Sequence, residues 1–104
     1  MKTFNFKVPV RRPKDWSYDY SCLSVGDTLI IVPEPSNVFD ENALRIDDLS
    51  KQSVGYVPAE LAEKITPKLT SNTWSVLGAS VAEVNGSSAT WVDVYVDIIL
   101  QVKQ

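Results

Sequence analysis

The densest grouping of side chains able to meet a ligand runs Glu34-Pro35-Ser36-Asn37-Val38-Phe39-Asp40-Glu41-Asn42-Ala43-Leu44-Arg45-Ile46. Asn37, Asp40 and Asn42 carry short polar side chains that bond nearby backbone and shape turns. Turned outward, the same groups offer hydrogen bonds, and an aspartate is a fixed acceptor for a hydroxyl donor. Residue type alone leaves loop building and ligand contact both open for Asp40 and Asn42. Phe39 is apolar within a polar stretch, so it either plugs the core or stands exposed as a stacking surface. A second grouping, Val54-Gly55-Tyr56-Val57-Pro58, brings the aromatic Tyr56 to a point just ahead of a helix start.

Covalent and metal chemistry find little support. The chain has no histidine, which removes the commonest general base and the usual zinc sets. Its one cysteine, Cys22, cannot close an internal disulfide and is expected as a small buried hydrophobe. The four glycines are isolated, so no phosphate-cradling loop exists. Asp47 and Asp48 fall in a predicted hairpin loop, where solvated carboxylates are the default. Asp93 and Asp97 share a strand face about 13 Å apart at roughly 3.3 Å per residue, too far for one ion. We therefore expect no catalytic residue, no metal and no cofactor.

Charge is unevenly spread. The net charge is −3, but Lys2, Lys7, Arg11, Arg12 and Lys14 give the first fourteen residues +5 and leave −8 on the rest. This start reads either as an anion-binding arm or as a solvated terminus. In the first reading Arg11, Arg12 and Lys14 neutralise phosphates. The acidic balance and the lack of a long basic stripe then predict weak binding with a shallow salt dependence. Trp16, Tyr18 and Tyr20 lie in the next polar stretch and are equally suited to contact or to cover.

These groups must be held by a small β-rich scaffold. The 104 residues suit a single domain over 1–104, long enough to bury a core. Phe4, Phe6, Val8 and Val10 alternate with polar residues and mark a strand, with Pro9 placing it at an edge. Val25-Gly26-Asp27 turns into a strand over 28–32, and further strands are predicted at 43–46 and 53–57. Pro58 to Thr66 reads as a helix with Leu61, Ile65 and Leu69 on one face, ended or restarted at Pro67. The last thirty residues read as a hairpin turning at Asn85-Gly86. Its final strand has Val92, Val94, Val96, Ile98 and Leu100 inward and Trp91, Tyr95 and Ile99 outward. Such short, evenly spaced strands predict a mainly β fold of five or six strands with one or two short helices, a small closed barrel or a sandwich. No signal h-region and no membrane-spanning apolar run are visible, so a cytoplasmic location and no membrane contact are expected.

The two-part pattern E-P-x-N-x-F-D-x-N-A at 34–43 and V-G-Y-V-P at 54–58 resembles the HIRAN domain, best over about residues 24 to 70. Gly26-Asp27 before the second strand also fits. The resemblance implies a compact β-barrel module of the OB or SH3-like kind, of a type often fused to helicases and nucleases. In remodelling helicases such domains capture the 3′ end of single-stranded DNA, with the loop's aromatic–aspartate pair at the terminal nucleotide. Those positions match Phe39 and Asp40; Phe39 stands where a tyrosine is usual, so it can stack but offers no hydroxyl. Tyr56 matches a further pocket residue, and Arg11 and Arg12 match basic residues that complete the pocket. The implied reading is a non-catalytic, stand-alone module binding single-stranded DNA through Arg11, Arg12, Phe39, Asp40, Asn42 and Tyr56. Its implied partner is a helicase or nuclease in trans. The alternative is a protein-interaction adaptor or a homodimer formed through the Trp91, Tyr95 and Ile99 row.

Overall fold

The computed structural model describes residues 2–13, 15–84 and 94–103. It contains six antiparallel strands and one α-helix. They run β1 (Lys2–Pro9), β2 (Thr28–Pro33), β3 (Leu44–Asp47), β4 (Ser53–Tyr56), α1 (Ala59–Thr70), β5 (Trp74–Val84) and β6 (Val94–Val102), with a 3₁₀ turn at Tyr20–Cys22. The strand order is β1-β6-β5-β2-β3-β4, so β1 lies at an edge, as Pro9 predicts. Val94, Val96, Ile98 and Leu100 are all at most 1% exposed, and they meet Ile46, Val54 and Val81 in one core. Val92, Trp91 and the Asn85-Gly86 turn lie outside the described residues.

The sheet does not close into the expected barrel. Just beyond β1, Arg11 and Tyr56 exchange both amide-to-carbonyl bonds at 2.8 Å, forming one isolated antiparallel bridge to the far-edge strand β4. The next hydrogen-bonded positions in that register would be Pro9 opposite Pro58, and Pro13 opposite Val54. Proline has no N–H, so the first pair can form neither of its bonds and the second can form only one. The Val54 carbonyl instead accepts from the Tyr20 hydroxyl at 2.9 Å. Gly55 makes the single bridge possible: a Cβ there would lie 2.4 Å from Val10 Cγ1 and 2.8 Å from the Arg11 carbonyl oxygen.

Helix α1 begins one residue later than expected, with Pro58 at the N-cap, and it runs through Pro67 to Thr70. Pro67 leaves the Glu63 carbonyl without its amide donor. Both residues lie on the exposed side, where water can take that place. The inward face carries Ala62, Ile65 and Thr66 buried, with Leu61 and Leu69 packed against the core. No helix among the described residues is long and apolar enough to cross a membrane.

Candidate functional site

The loop between β2 and β3 is organised by Asn37. Its Oδ1 accepts from the Phe39 amide at 2.9 Å and the Asp40 amide at 3.0 Å, and its Nδ2 donates to Glu34 Oε1 at 3.1 Å. Asp40 Oδ1 accepts from the Asn42 amide at 2.9 Å, and the Asp40 carbonyl accepts from the Ala43 amide at 3.1 Å. The backbone of Phe39 and Asp40 is thus pinned, yet the Phe39 residue is 95% exposed. Of the two roles open to it, Phe39 does not plug the core.

A polar chain supports this loop from below. Glu34 also accepts from the Tyr56 hydroxyl at 2.8 Å and from Arg45 Nη1 at 2.7 Å. Arg45 donates from Nε and Nη2 to the two oxygens of Asp47 at 2.9 and 3.0 Å, and Ser53 Oγ donates to Asp47 Oδ1 at 3.0 Å. Burial raises the Glu34 carboxyl, but hydrogen bonds from Tyr56, Asn37 and Arg45 outweigh it and hold the group below its ordinary value. Burial first, and the bond to Glu34 second, push the Tyr56 hydroxyl up. Tyr56 therefore offers a ligand its ring, since its proton is already committed to Glu34. Asp47, expected in a solvated loop, is instead 6% exposed and paired with Arg45. Asp48 accepts from the Tyr18 hydroxyl at 2.7 Å.

Between this loop, the residues Arg11, Pro13 and Trp16, and the start of α1 lies an open cavity of about 580 Å³. Phe39, Trp16 and Tyr56 give it aromatic surface, with the Trp16 and Tyr56 rings 5.3 Å apart. Ala43 and Val57, both buried, are also in its lining. Among the described residues its charged groups are one cation, Arg11, and two carboxylates, Asp40 and Glu60. Arg11 Nη2 lies 3.8 Å from Glu60 Oε1, with both side chains largely exposed. Ala59 and Glu60 bring the first turn of α1 to the cavity, and no side chain caps that turn. A helix N-terminus carries partial positive charge and unpaired amides, so it favours anions.

The structure thus gathers four of the six expected site residues, Arg11, Phe39, Asp40 and Tyr56, around one cavity. Arg12 turns away, with its guanidinium 5.1 Å from the centre of the Tyr20 ring. Asn42 braces the loop: its amide donates to Asp40, and its carbonyl accepts from Thr66 Oγ1 on α1 at 2.6 Å. Lys14 lies outside the described residues. Trp16 and Glu60 also line the cavity and were not among the expected set. Trp16 had a signal, a large aromatic in a polar stretch that follows two arginines; Glu60 had none beyond its place at the start of the expected helix. Tyr18 and Tyr20 pack against the core and serve as cover. Cys22, expected buried, is exposed, because the 3₁₀ turn holds it at the surface with Sγ 3.0 Å from the Asp19 carbonyl oxygen. Among the described residues no group of histidine, cysteine, aspartate and glutamate side chains could hold a metal.

The family model for the HIRAN domain matches residues 3–103. Among solved structures, the chain is similar to the HIRAN domain of human HLTF, with a TM-score of 0.64 at 12% identity, covering 97% of this chain and 77% of that one. It is also similar to a protein from Lactobacillus plantarum, with a TM-score of 0.69 at 13% identity, covering 96% of this chain and 98% of that one. None of the curated proteins matches it significantly.

Proposed function

This chain belongs to the HIRAN domain family, and on that premise we propose that it is a non-catalytic module that receives the end of a single DNA strand in the cavity beside the 34–43 loop. The observation that carries the reading is the meeting of a pinned, exposed Phe39 with Trp16, Tyr56, Asp40 and Arg11 around one opening. Aromatic rings supply sequence-tolerant stacking, worth about 1–3 kcal/mol per base. Asp40 uses Oδ1 on the Asn42 amide, which leaves Oδ2 to accept from a terminal hydroxyl. Arg11 and the start of α1 attract the neighbouring phosphate. A terminal 3′-phosphate would meet Asp40 and Glu60 instead, so the reading favours a 3′-hydroxyl end. A helicase or nuclease acting in trans is the matching partner, and the cytoplasm the matching location.

Fluorescence anisotropy with short strands ending in 3′-hydroxyl or 3′-phosphate tests this. Wild type is expected to prefer the hydroxyl end. Asp40→Ala is expected to weaken that binding by about 1–3 kcal/mol, the value of a hydrogen bond to a charged group, with little change for the phosphate end. Asp40→Asn keeps an acceptor for the Asn42 amide and separates loss of the contact from loss of the loop. Equal wild-type affinity for both ends rejects end recognition. A second reading, a protein adaptor or homodimer, rests on exposed Ile30, Leu77 and Ile99 on the outer sheet face. Of its expected row, Trp91 lies outside the described residues and Tyr95 is half-buried, with the Lys7 ammonium 5.2 Å from its ring centre. No strand binding at low salt, together with a dimer on size-exclusion chromatography, favours this second reading.

A further inference from the structure

A second concavity, also about 580 Å³, adjoins the first, and Phe39, Tyr56 and Asn37 line both. Phe39 is therefore a partition with open space to either side. It is an apolar ring that folding leaves in water, on a backbone fixed by two bonds to Asn37. Such a ring is preorganised for a partner, because little ordering remains to oppose binding. The second concavity adds Pro33, Pro35 and Val38, the last 87% exposed. Its ionisable groups are Glu34 and the shared Tyr56, and the Glu34 carboxylate already accepts from Tyr56, Asn37 and Arg45. Nothing in that lining presents a bare charge, and its exposed surface is largely apolar.

We propose that Phe39 is a wedge that inserts between the last two bases of the bound strand. The terminal base lies on the Trp16–Tyr56 side and the penultimate base on the Pro33–Pro35–Val38 side. This rests on the strand-end reading above and extends it from one nucleotide to two. Phenylalanine is a known wedge between base steps, where it takes over the stacking that the two bases lose to each other. A single strand has no pairing to break, so opening one step costs less than in a duplex. The ring reads no base edge, so the wedge is indifferent to sequence.

A double-mutant cycle separates this inference from the reading beneath it. A 3′-hydroxyl oligonucleotide is compared with the same strand abasic at the penultimate position, each against wild type and Phe39→Ala. The abasic position is expected to cost wild type about fivefold or more in affinity, the lower end of one base stack, and to cost Phe39→Ala less than twofold. Phe39→Trp is expected to keep the penalty. With 2-aminopurine at either of the last two positions, wild type is expected to change the fluorescence at both. Equal wild-type affinity for the intact and abasic strands overturns the wedge while leaving end binding intact. So does an undiminished abasic penalty in Phe39→Ala. Failure of wild type to bind any strand overturns both. Because Phe39 is exposed, Phe39→Ala is expected to melt at the wild-type temperature, which keeps the comparison clean.

Discussion

If the cavity takes a strand end as proposed, Glu60 stands where an incoming phosphate would compete for Arg11. The two side chains are 60% and 73% exposed and 3.8 Å apart, so their attraction is screened and worth about 0–1 kcal/mol. The pair links Arg11 to a carboxylate in the same lining, which on the proposed function an anionic strand would have to approach. Glu60→Gln is expected to tighten binding of a 3′-hydroxyl strand about two- to fivefold, because it releases the cation and removes the repulsion. The same change weakens the helix start by about 0.3–1 kcal/mol, since a carboxylate in the first turn complements the helix dipole. Anisotropy and a melting curve on one variant therefore move in opposite directions. Unchanged or weaker binding would reject a competing role for Glu60.

The elements meet at the Arg11–Tyr56 bridge, which ties the segment after β1 to β4 and places both residues in one lining. That approach depends on Gly55. A methyl group there collides with Val10 Cγ1 and, at 2.8 Å, with the Arg11 carbonyl oxygen, and a backbone atom cannot yield as a side chain can. Gly55→Ala is expected to cost about 1–3 kcal/mol in denaturant unfolding, the usual range for overpacking. It is also expected to weaken strand binding, because it parts Arg11 from Tyr56. Gly78 is the control: nothing lies within 4 Å of a Cβ there. Gly78→Ala is expected to leave stability within about 0.5 kcal/mol and binding unchanged. A Gly55→Ala protein of wild-type stability and affinity would show that the close approach is dispensable.

Across the whole molecule, stability should peak at neutral pH and fall on both sides. Glu34 and Asp48 are held below their ordinary values of 4.5 and 3.8 by hydrogen bonds that outweigh burial. Their contribution is complete above those values and is lost as pH falls through the lower folded-state ones, because the unfolded chain takes up protons first. Tyr18 and Tyr56 are raised from 10.0, in each case chiefly by burial and then by hydrogen bonds. Their contribution is complete below about 10 and is lost above it, because the unfolded chain ionises first. Melting temperatures from pH 2 to 11 are expected to trace this dome. Glu34→Gln is expected to flatten the acid arm and to lower the neutral plateau, since Arg45 loses a charged partner. An acid arm of unchanged steepness in that variant would place the sensitivity elsewhere.

The sequence by itself determined what depends on near neighbours along the chain. Alternation put Val94, Val96, Ile98 and Leu100 inside. Gly26 supplies the turn into β2 with φ of +94°, a conformation glycine takes without a Cβ clash. The spacing of Leu61, Ile65 and Leu69 gave the inward side of α1. The pair of motifs at 34–46 and 54–58 marked the family and three of the cavity's residues, Phe39, Asp40 and Tyr56. Only the tertiary structure decided matters that turn on distant pairing. Arg11 and Arg12 are adjacent, so on an extended chain they face opposite ways, and the register of one bridge selects Arg11 for the cavity. Pro9, Pro13 and Pro58 remove three of the four amide donors that would flank that bridge, and the sheet stays open. Asp47 became a buried partner of Arg45, and Cys22 stayed at the surface, through folding around β4 and the 3₁₀ turn. Phe39 stands outward because Asn37 fixes the loop backbone on both sides of it, a network whose bonds span the fold from Tyr56 to Glu34 and Arg45.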